Sequence, residues 1–138
     1  MTPSPAATLP SVVVGLTMTD PLPGFPQHRD YALVPADAES RLYWLQSVAP
    51  DGPRFLAVQT AAFFPEYAPD LPGGLCAELD LDGAAQARLF CLVTVPSGDA
   101  SAATVNLRAP VVVNPTAGRA RQVVLAEGGY SIRRPLRR

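Results

Sequence analysis

The stretch ATVNLRAPVVVNPTAGRARQVVL, residues 103–125, decides the fold. In its first half Thr104, Asn106 and Arg108 are offset by one from Val105, Leu107 and Ala109. That period of two sends polar and apolar side chains to opposite faces, as a strand does and a helix does not. Ala103–Asn114 therefore reads as one long strand. Pro110 forfeits a ladder donor, so the strand lies at a sheet edge or carries a bulge there. Asn114-Pro-Thr-Ala-Gly118 has turn chemistry, and Arg119–Leu125 returns as a hairpin partner.

Upstream, Leu89-Phe-Cys-Leu-Val-Thr-Val95 is apolar almost throughout, as expected of a strand covered on both faces. Pro96-Ser-Gly-Asp99 turns it into the stretch above. Further strands are predicted at 31–34 (YALV), 42–48 (LYWLQSV) and 54–60 (RFLAVQT). The last two flank Ala49-Pro-Asp-Gly-Pro53, a five-residue hairpin loop. Ser11–Met18 places Val12, Val14, Leu16 and Met18 on one face before the turn signal Asp20-Pro-Leu-Pro-Gly24. Three prolines in Phe63–Pro72 exclude a regular helix or central strand, which leaves an irregular connection pinned by its aromatics.

Gly74–Gln86 is the one place for a helix. Leu75, Leu79 and Leu81 are apolar there, while Gly83 and the acids Glu78, Asp80 and Asp82 keep it short. Gly128-Gly129 breaks the pattern before a short tail, Tyr130–Arg138. About eight short strands result, which predicts an all-β, mainly antiparallel fold: a small barrel or sandwich with one short helix near 74–86. The 16 Pro and 10 Gly in 138 residues agree, because they forbid long helices. Residues 1–10 read as a flexible lead-in and 11–138 as a single β domain.

With 48% hydrophobic and 17% charged residues the chain is too apolar for intrinsic disorder. Its 11 arginines, without a single lysine, face 12 acids for a net charge of −1, which excludes nonspecific nucleic-acid binding driven by bulk charge. The balance is uneven along the chain: residues 101–138 hold seven arginines and only Glu127 as an acid. Either the two halves complement one another in space or the surface is dipolar and orients partners. No arginine precedes Arg29 and prolines interrupt the first apolar run, so no secretory leader is expected. No stretch reaches the roughly 20 apolar residues that span a bilayer. Cys76 and Cys91 read as reduced, structural cysteines of a cytoplasmic protein.

Catalytic groups are scarce. His28 is the only histidine, no G-x-S-x-G elbow occurs, and Cys91 lies in an apolar run where its thiolate is disfavoured. Glu78, Asp80 and Asp82 lack the glycine and terminal glutamate of a calcium loop and read as a solvated acidic face. No catalytic residue, cofactor or metal is expected, and the chain does not read as an enzyme. Arg108, Arg119 and Arg121 could line adjacent strands of an oligonucleotide- or small-ligand-binding barrel, but residues 103–125 contain no aromatic to stack a base. The aromatics cluster elsewhere, at Tyr43-Trp44 and Phe63-Phe-Pro-Glu-Tyr67. Strand alternation sends Tyr43 and Trp44 to opposite faces, so the cluster serves as core packing, as a docking patch, or as both.

Leu22-Pro-Gly-Phe25, Tyr31-Ala-Leu-Val-Pro35, Tyr43-Trp-Leu-Gln-Ser-Val48, Phe63-Phe-Pro-Glu-Tyr67 and Pro69-Asp-Leu71 follow one another in order. Val93-Thr-Val-Pro96, Thr104–Asn114, Gln122-Val-Val-Leu125 and Tyr130-Ser-Ile-Arg133 continue the series to about residue 136. As an ordered set these motifs resemble the FliW family of flagellar assembly factors. The chain departs from the family pattern at Gln59-Thr-Ala-Ala62, where Asn-Pro or Asp-Pro commonly precedes the double Phe, and in lacking a lysine-rich surface.

The resemblance implies a cytoplasmic, mostly β protein that acts by binding, with flagellin and the dimeric RNA-binding repressor CsrA as partners. It also implies a monomer with no direct contact to nucleic acid or membrane. The candidate binding residues are Tyr43, Phe64 and Tyr67, with Asp70 as a rim charge. Asn106 and Asn114 join them as polar contacts; their alternative roles are a strand bulge and a turn. Tyr67→Ala is expected to weaken partner binding with little loss of stability, unless the residue belongs to the core.

Overall fold

Side chains alternate between inside and outside along the first strands: β1 (Val14–Met18), β2 (Asp30–Pro35), β3 (Leu42–Ser47) and β4 (Arg54–Gln59). The computed structural model describes residues 13–39, 41–126 and 128–136; the lead-in expected over 1–10, Val12, Glu127, Arg137 and Arg138 lie outside them. Two one-turn helices follow, α1 (Thr60–Phe63) and α2 (Leu75–Glu78). After them come β5 (Arg88–Thr94), β6 (Thr104–Val105), β7 (Val111–Asn114), β8 (Arg119–Gln122) and β9 (Arg134–Pro135).

The strands make a closed barrel. β1 to β4 pair consecutively and antiparallel, β4 pairs with β5, and β5 continues through β7 to β8. The ring closes where β8 meets β1 in parallel, Thr17 opposite Arg119 and Met18 opposite Ala120. This parallel seam is the one departure from the antiparallel pattern among the described strands, and it removes the two free edges an open sheet would carry. Gly118 allows the close approach at the seam. It stands at φ +70, its carbonyl accepts from Thr17 N–H at 2.8 Å, and a Cβ there would come within 3.1 Å of the Gly15 carbonyl.

One face of each strand fills the interior. Leu16, Met18, Tyr31, Leu33, Tyr43, Leu45, Ala57, Phe90, Val111, Val113 and Ala120 form the core, with Leu22 from the first turn. These positions are those that alternation selects. Outside the barrel, α2 brings Leu75 and Leu79 onto Val112, Val123 and Leu125. A second outer cluster gathers Phe64 against Val58, Cys91, Val105 and Leu107. β5 and β7 are thus apolar on both faces because both faces are covered.

Four expectations are corrected. Ala103–Asn114 is not one strand. From Phe90↔Val111 to Val93↔Val105 β5 advances three residues while its partner chain covers six, so three extra residues bulge between β6 and β7. Asn106 starts that bulge by accepting the Arg108 N–H on its side-chain oxygen at 3.0 Å, and Pro110 ends it. Next, the double-Phe segment begins inside α1, where Phe64 N–H donates to Thr60 O at 2.7 Å and Pro65 stops the helix. The short helix expected near 74–86 is present as α2, with a 3₁₀ turn at Ala84–Gln86 beyond Asp80 at φ 61, but it is not the one place for a helix, because α1 stands outside that span. Finally, the tail is not free: β9 pairs with β6 through Thr104↔Pro135 and Val105↔Arg134.

Candidate protein-binding surface

The aromatic connection builds its own platform on the outside of β4, β5 and β6. Buried Thr60 anchors the platform's start, its hydroxyl donating to Leu89 O at 3.3 Å. Tyr67 N–H donates to Phe64 O at 2.9 Å, which curls the segment so that both rings face the sheet. The Tyr67 hydroxyl then donates to Leu107 O at 2.6 Å, across the bulge. Tyr130 meets Tyr67 edge to face at 5.0 Å, and Leu107 N–H donates to Ser131 O at 2.9 Å. Arg134 of β9 lies over the Phe64 ring at 4.9 Å, and Arg41 over Phe63 at 5.3 Å. Three distant segments (63–67, 106–108 and 130–136) are brought together here.

The candidate residues divide. Tyr43 sits inside the barrel, 1% exposed, edge to face with Phe90 at 5.1 Å, so it packs the core and is not a surface contact. Trp44 is the half-buried outward one, with the Arg54 guanidinium 4.1 Å from its ring. Phe64 is buried beneath Arg134. Asn114 is a structural clamp: its Nδ2 donates to Leu79 O at 2.8 Å and Asp80 O at 2.9 Å, while its Oδ1 accepts from Thr116 and Ala117 N–H. Its turn role therefore holds, extended by a tie to α2 that nothing in the local sequence announces. Asn106 is half-buried and shapes the bulge. Tyr67 is half-buried and joins two clusters. Asp70 is exposed and makes no hydrogen bond or ion pair among the described residues. Tyr67, Asp70 and Asn106 are the accessible members of the set.

Electrostatics follow the burial. Desolvation pushes the Cys91 thiol up to about 12, so it is an inert packing group, 4.0 Å from the Tyr67 hydroxyl. Burial, and then the neighbouring Cys91, raise the Tyr67 phenol well above its ordinary range. Both cysteines are free. His28 Nδ1 lies 3.0 Å from Ser47 Oγ, which itself accepts from Ala49 N–H at 3.1 Å, so this pair closes the 49–53 turn.

Of the three arginines, Arg108 is exposed on the bulge, Arg119 is exposed with one bond to Glu78 O at 3.4 Å, and Arg121 is paired with acids. It donates to Glu78 at 2.7 Å and stands 3.9 Å from Asp20, so here the basic and acidic halves do complement one another. Glu78 is thus turned to a partner rather than solvated as expected, and the oligonucleotide reading loses one of its three arginines. Among the described residues no group of three or more His, Cys, Asp or Glu is placed to hold a metal ion, and no helix is long and apolar enough to cross a membrane.

A closed seven-stranded barrel with a proline-rich aromatic platform fastened to its outer face defines a class of small, mainly antiparallel β-barrel proteins. The sequence profile of the FliW protein family matches residues 8–136. A flagellar assembly factor FliW from Moorella thermoacetica is 36% identical over 115 residues, covering 83% of this chain and 73% of that protein. One from Bdellovibrio bacteriovorus is 37% identical over 121 residues, covering 88% and 69%. A crystal structure of the flagellar assembly factor FliW superposes with a TM-score of 0.78 at 26% identity, covering 88% of this chain and 84% of the other. The chain belongs to the FliW family of flagellar assembly factors.

Proposed function

We propose that this protein is a cytoplasmic, monomeric binding factor of flagellar assembly, built as one β domain over 11–138. It holds flagellin before export and, once released from flagellin, binds and antagonises the translational repressor CsrA. The observation that carries this reading is the family match over nearly the whole chain, joined to an outer surface made of contact residues. The signal is a difference of affinities: whichever partner is in excess sets the population of the other complex, and each partner weakens the other by the same factor.

Tyr67, Asp70 and Asn106 contribute the accessible aromatic, charged and amide contacts. The test is isothermal titration calorimetry with flagellin and CsrA from the same organism. Binding to each, with mutual displacement when both are present, is the expected result. Failure to bind either one rejects the reading.

A further inference from the structure

The barrel ring is closed over only part of β8. The last bond of the parallel seam is Thr19 N–H to Ala120 O at 2.9 Å. Beyond it the β1 chain leaves through Asp20 and Pro21, Leu22 and Pro23, and neither proline has an N–H to give. The β8 chain, however, runs on as an extended segment. Val123 N–H donates to Pro110 O at 2.9 Å and Leu125 N–H to Arg108 O at 2.7 Å.

These alternate amides bond on the β7 side, so those of Gln122 and Val124 aim the other way, toward the place that β1 has vacated. The Val124 backbone N–H and C=O have no partner among the described residues, and Val124 is 71% exposed. A trench runs along this open edge. One part, of about 400 Å³, lies between Arg121–Val124 and the wall of Asp20, Pro21 and Pro23. The other, of about 430 Å³, lies between Val123–Ala126 and the wall of Asp70 and Leu71. Pro72, Val123 and Val124 border both.

We infer that this edge is a docking site for an extended basic peptide, which adds itself as a further strand beside residues 122–126. Main-chain bonds to Gln122 and Val124 would hold it, as in other strand additions. The charge argues for a basic occupant. Of the charged side chains that line the trench among the described residues, Asp20 and Asp70 are acidic and Arg121 is the cation, already engaged by Asp20 and by Glu78 behind it, while Arg119 stands outside the trench against the Glu78 carbonyl. The trench is therefore net acidic, and Asp70 has no partner of its own. This inference stands apart from flagellin and CsrA and survives if neither binds.

The probe is a fluorescein-labelled octapeptide of alternating threonine and valine with an arginine at each end, titrated against the full chain by fluorescence anisotropy. Saturable binding is expected. Methylating every second backbone nitrogen of the peptide should weaken it at least tenfold, and replacing its arginines by glutamates at least fivefold. On the protein side Val124→Pro should cost about tenfold. Because a proline can disturb the hairpin, Asp70→Arg on the exposed wall is the second variant, with a loss of about threefold expected. Absence of saturation, or equal affinity for the N-methylated peptide, overturns the inference. So does sedimentation showing a dimer that Val124→Pro dissolves, because the edge would then belong to a second copy of this chain.

Discussion

The inside of the barrel and the layer fastened to its outside are both apolar, but they are held by different means. Inside, each residue faces another inward residue on the next strand: Leu16 opposite Tyr31, Leu33 opposite Leu45, Tyr43 opposite Ala57, Val113 opposite Ala120. Every such contact is backed by a ladder of main-chain bonds, so the ring stands or falls as a unit. Outside, Phe64, Tyr67, Tyr130 and Leu136 lie on Val58, Cys91, Val105 and Leu107. The tail that completes this layer is tied by a two-residue strand pairing and by single bonds such as Leu136 N–H to Ala103 O at 3.0 Å. Cooperativity is therefore high in one region and low in the other.

The largest effect tests the ring. Tyr43→Ala empties a site that is 1% exposed and removes the edge-to-face contact with Phe90. About 4 kcal/mol should be lost in urea unfolding. Partner affinity of the folded fraction should be unchanged, and a loss of affinity without loss of stability would return Tyr43 to the surface. Asn114→Ala comes next, at about 2–3 kcal/mol, because it strands the carbonyls of Leu79 and Asp80 and the amides of Thr116 and Ala117. That clamp joins the ring to α2, so its removal should also speed exchange of the Leu79 amide.

The ring was readable from the chain and the layer was not, for a physical reason. Ring strands are legible locally: YALV, LYWLQSV and RFLAVQT are short apolar runs bounded by turn signals, and the pleat then sends successive side chains to opposite faces without reference to any other segment. The layer depends on meetings between residues far apart in sequence. Phe64 with Arg134, Tyr67 with Leu107 and Asn114 with Leu79 leave no periodic trace. A single motif could have warned of the broken strand: Asn106 two before Arg108, with Pro110 beyond, is a turn set inside an apparent alternation. Alternation decides that one of Tyr43 and Trp44 is outside without saying which, and burial of Tyr43 settles the choice.

Tyr67→Phe tests the layer. It keeps the ring and deletes the bond to Leu107 O at 2.6 Å, leaving that carbonyl without its donor. About 1–1.5 kcal/mol is expected. More telling is where the loss appears. Amide exchange should rise at Leu107 and Leu136 while Val111–Val113 stay protected. A uniform rise would mean that the layer and the ring unfold together. Tyr67→Ala also removes packing from two clusters, so the small stability loss expected from sequence alone should not hold for that variant.

The smallest effect sharpens the contrast within the layer itself, because its α2 side is pinned by charge. Glu78 accepts from the Thr19 hydroxyl and from Arg121 at 2.7 Å, and these bonds, the hydroxyl first, hold its carboxyl below the usual range despite some burial. A carboxylate whose folded pKa is lowered contributes stability above its unfolded pKa, near 4.3, and loses it as pH falls through the folded value. With the side chain still 31% exposed, Glu78→Gln should cost about 0.5–1 kcal/mol at pH 7. The difference between the two proteins should shrink from pH 5 downward and close once both forms are neutral, and 1 M salt at pH 7 should close part of it. Gln keeps the shape of Glu, so a gap that persists unchanged at pH 2.5 would show that Glu78 acts through hydrogen bonds its neutral carboxyl can still make, and the α2 side would then be pinned without charge.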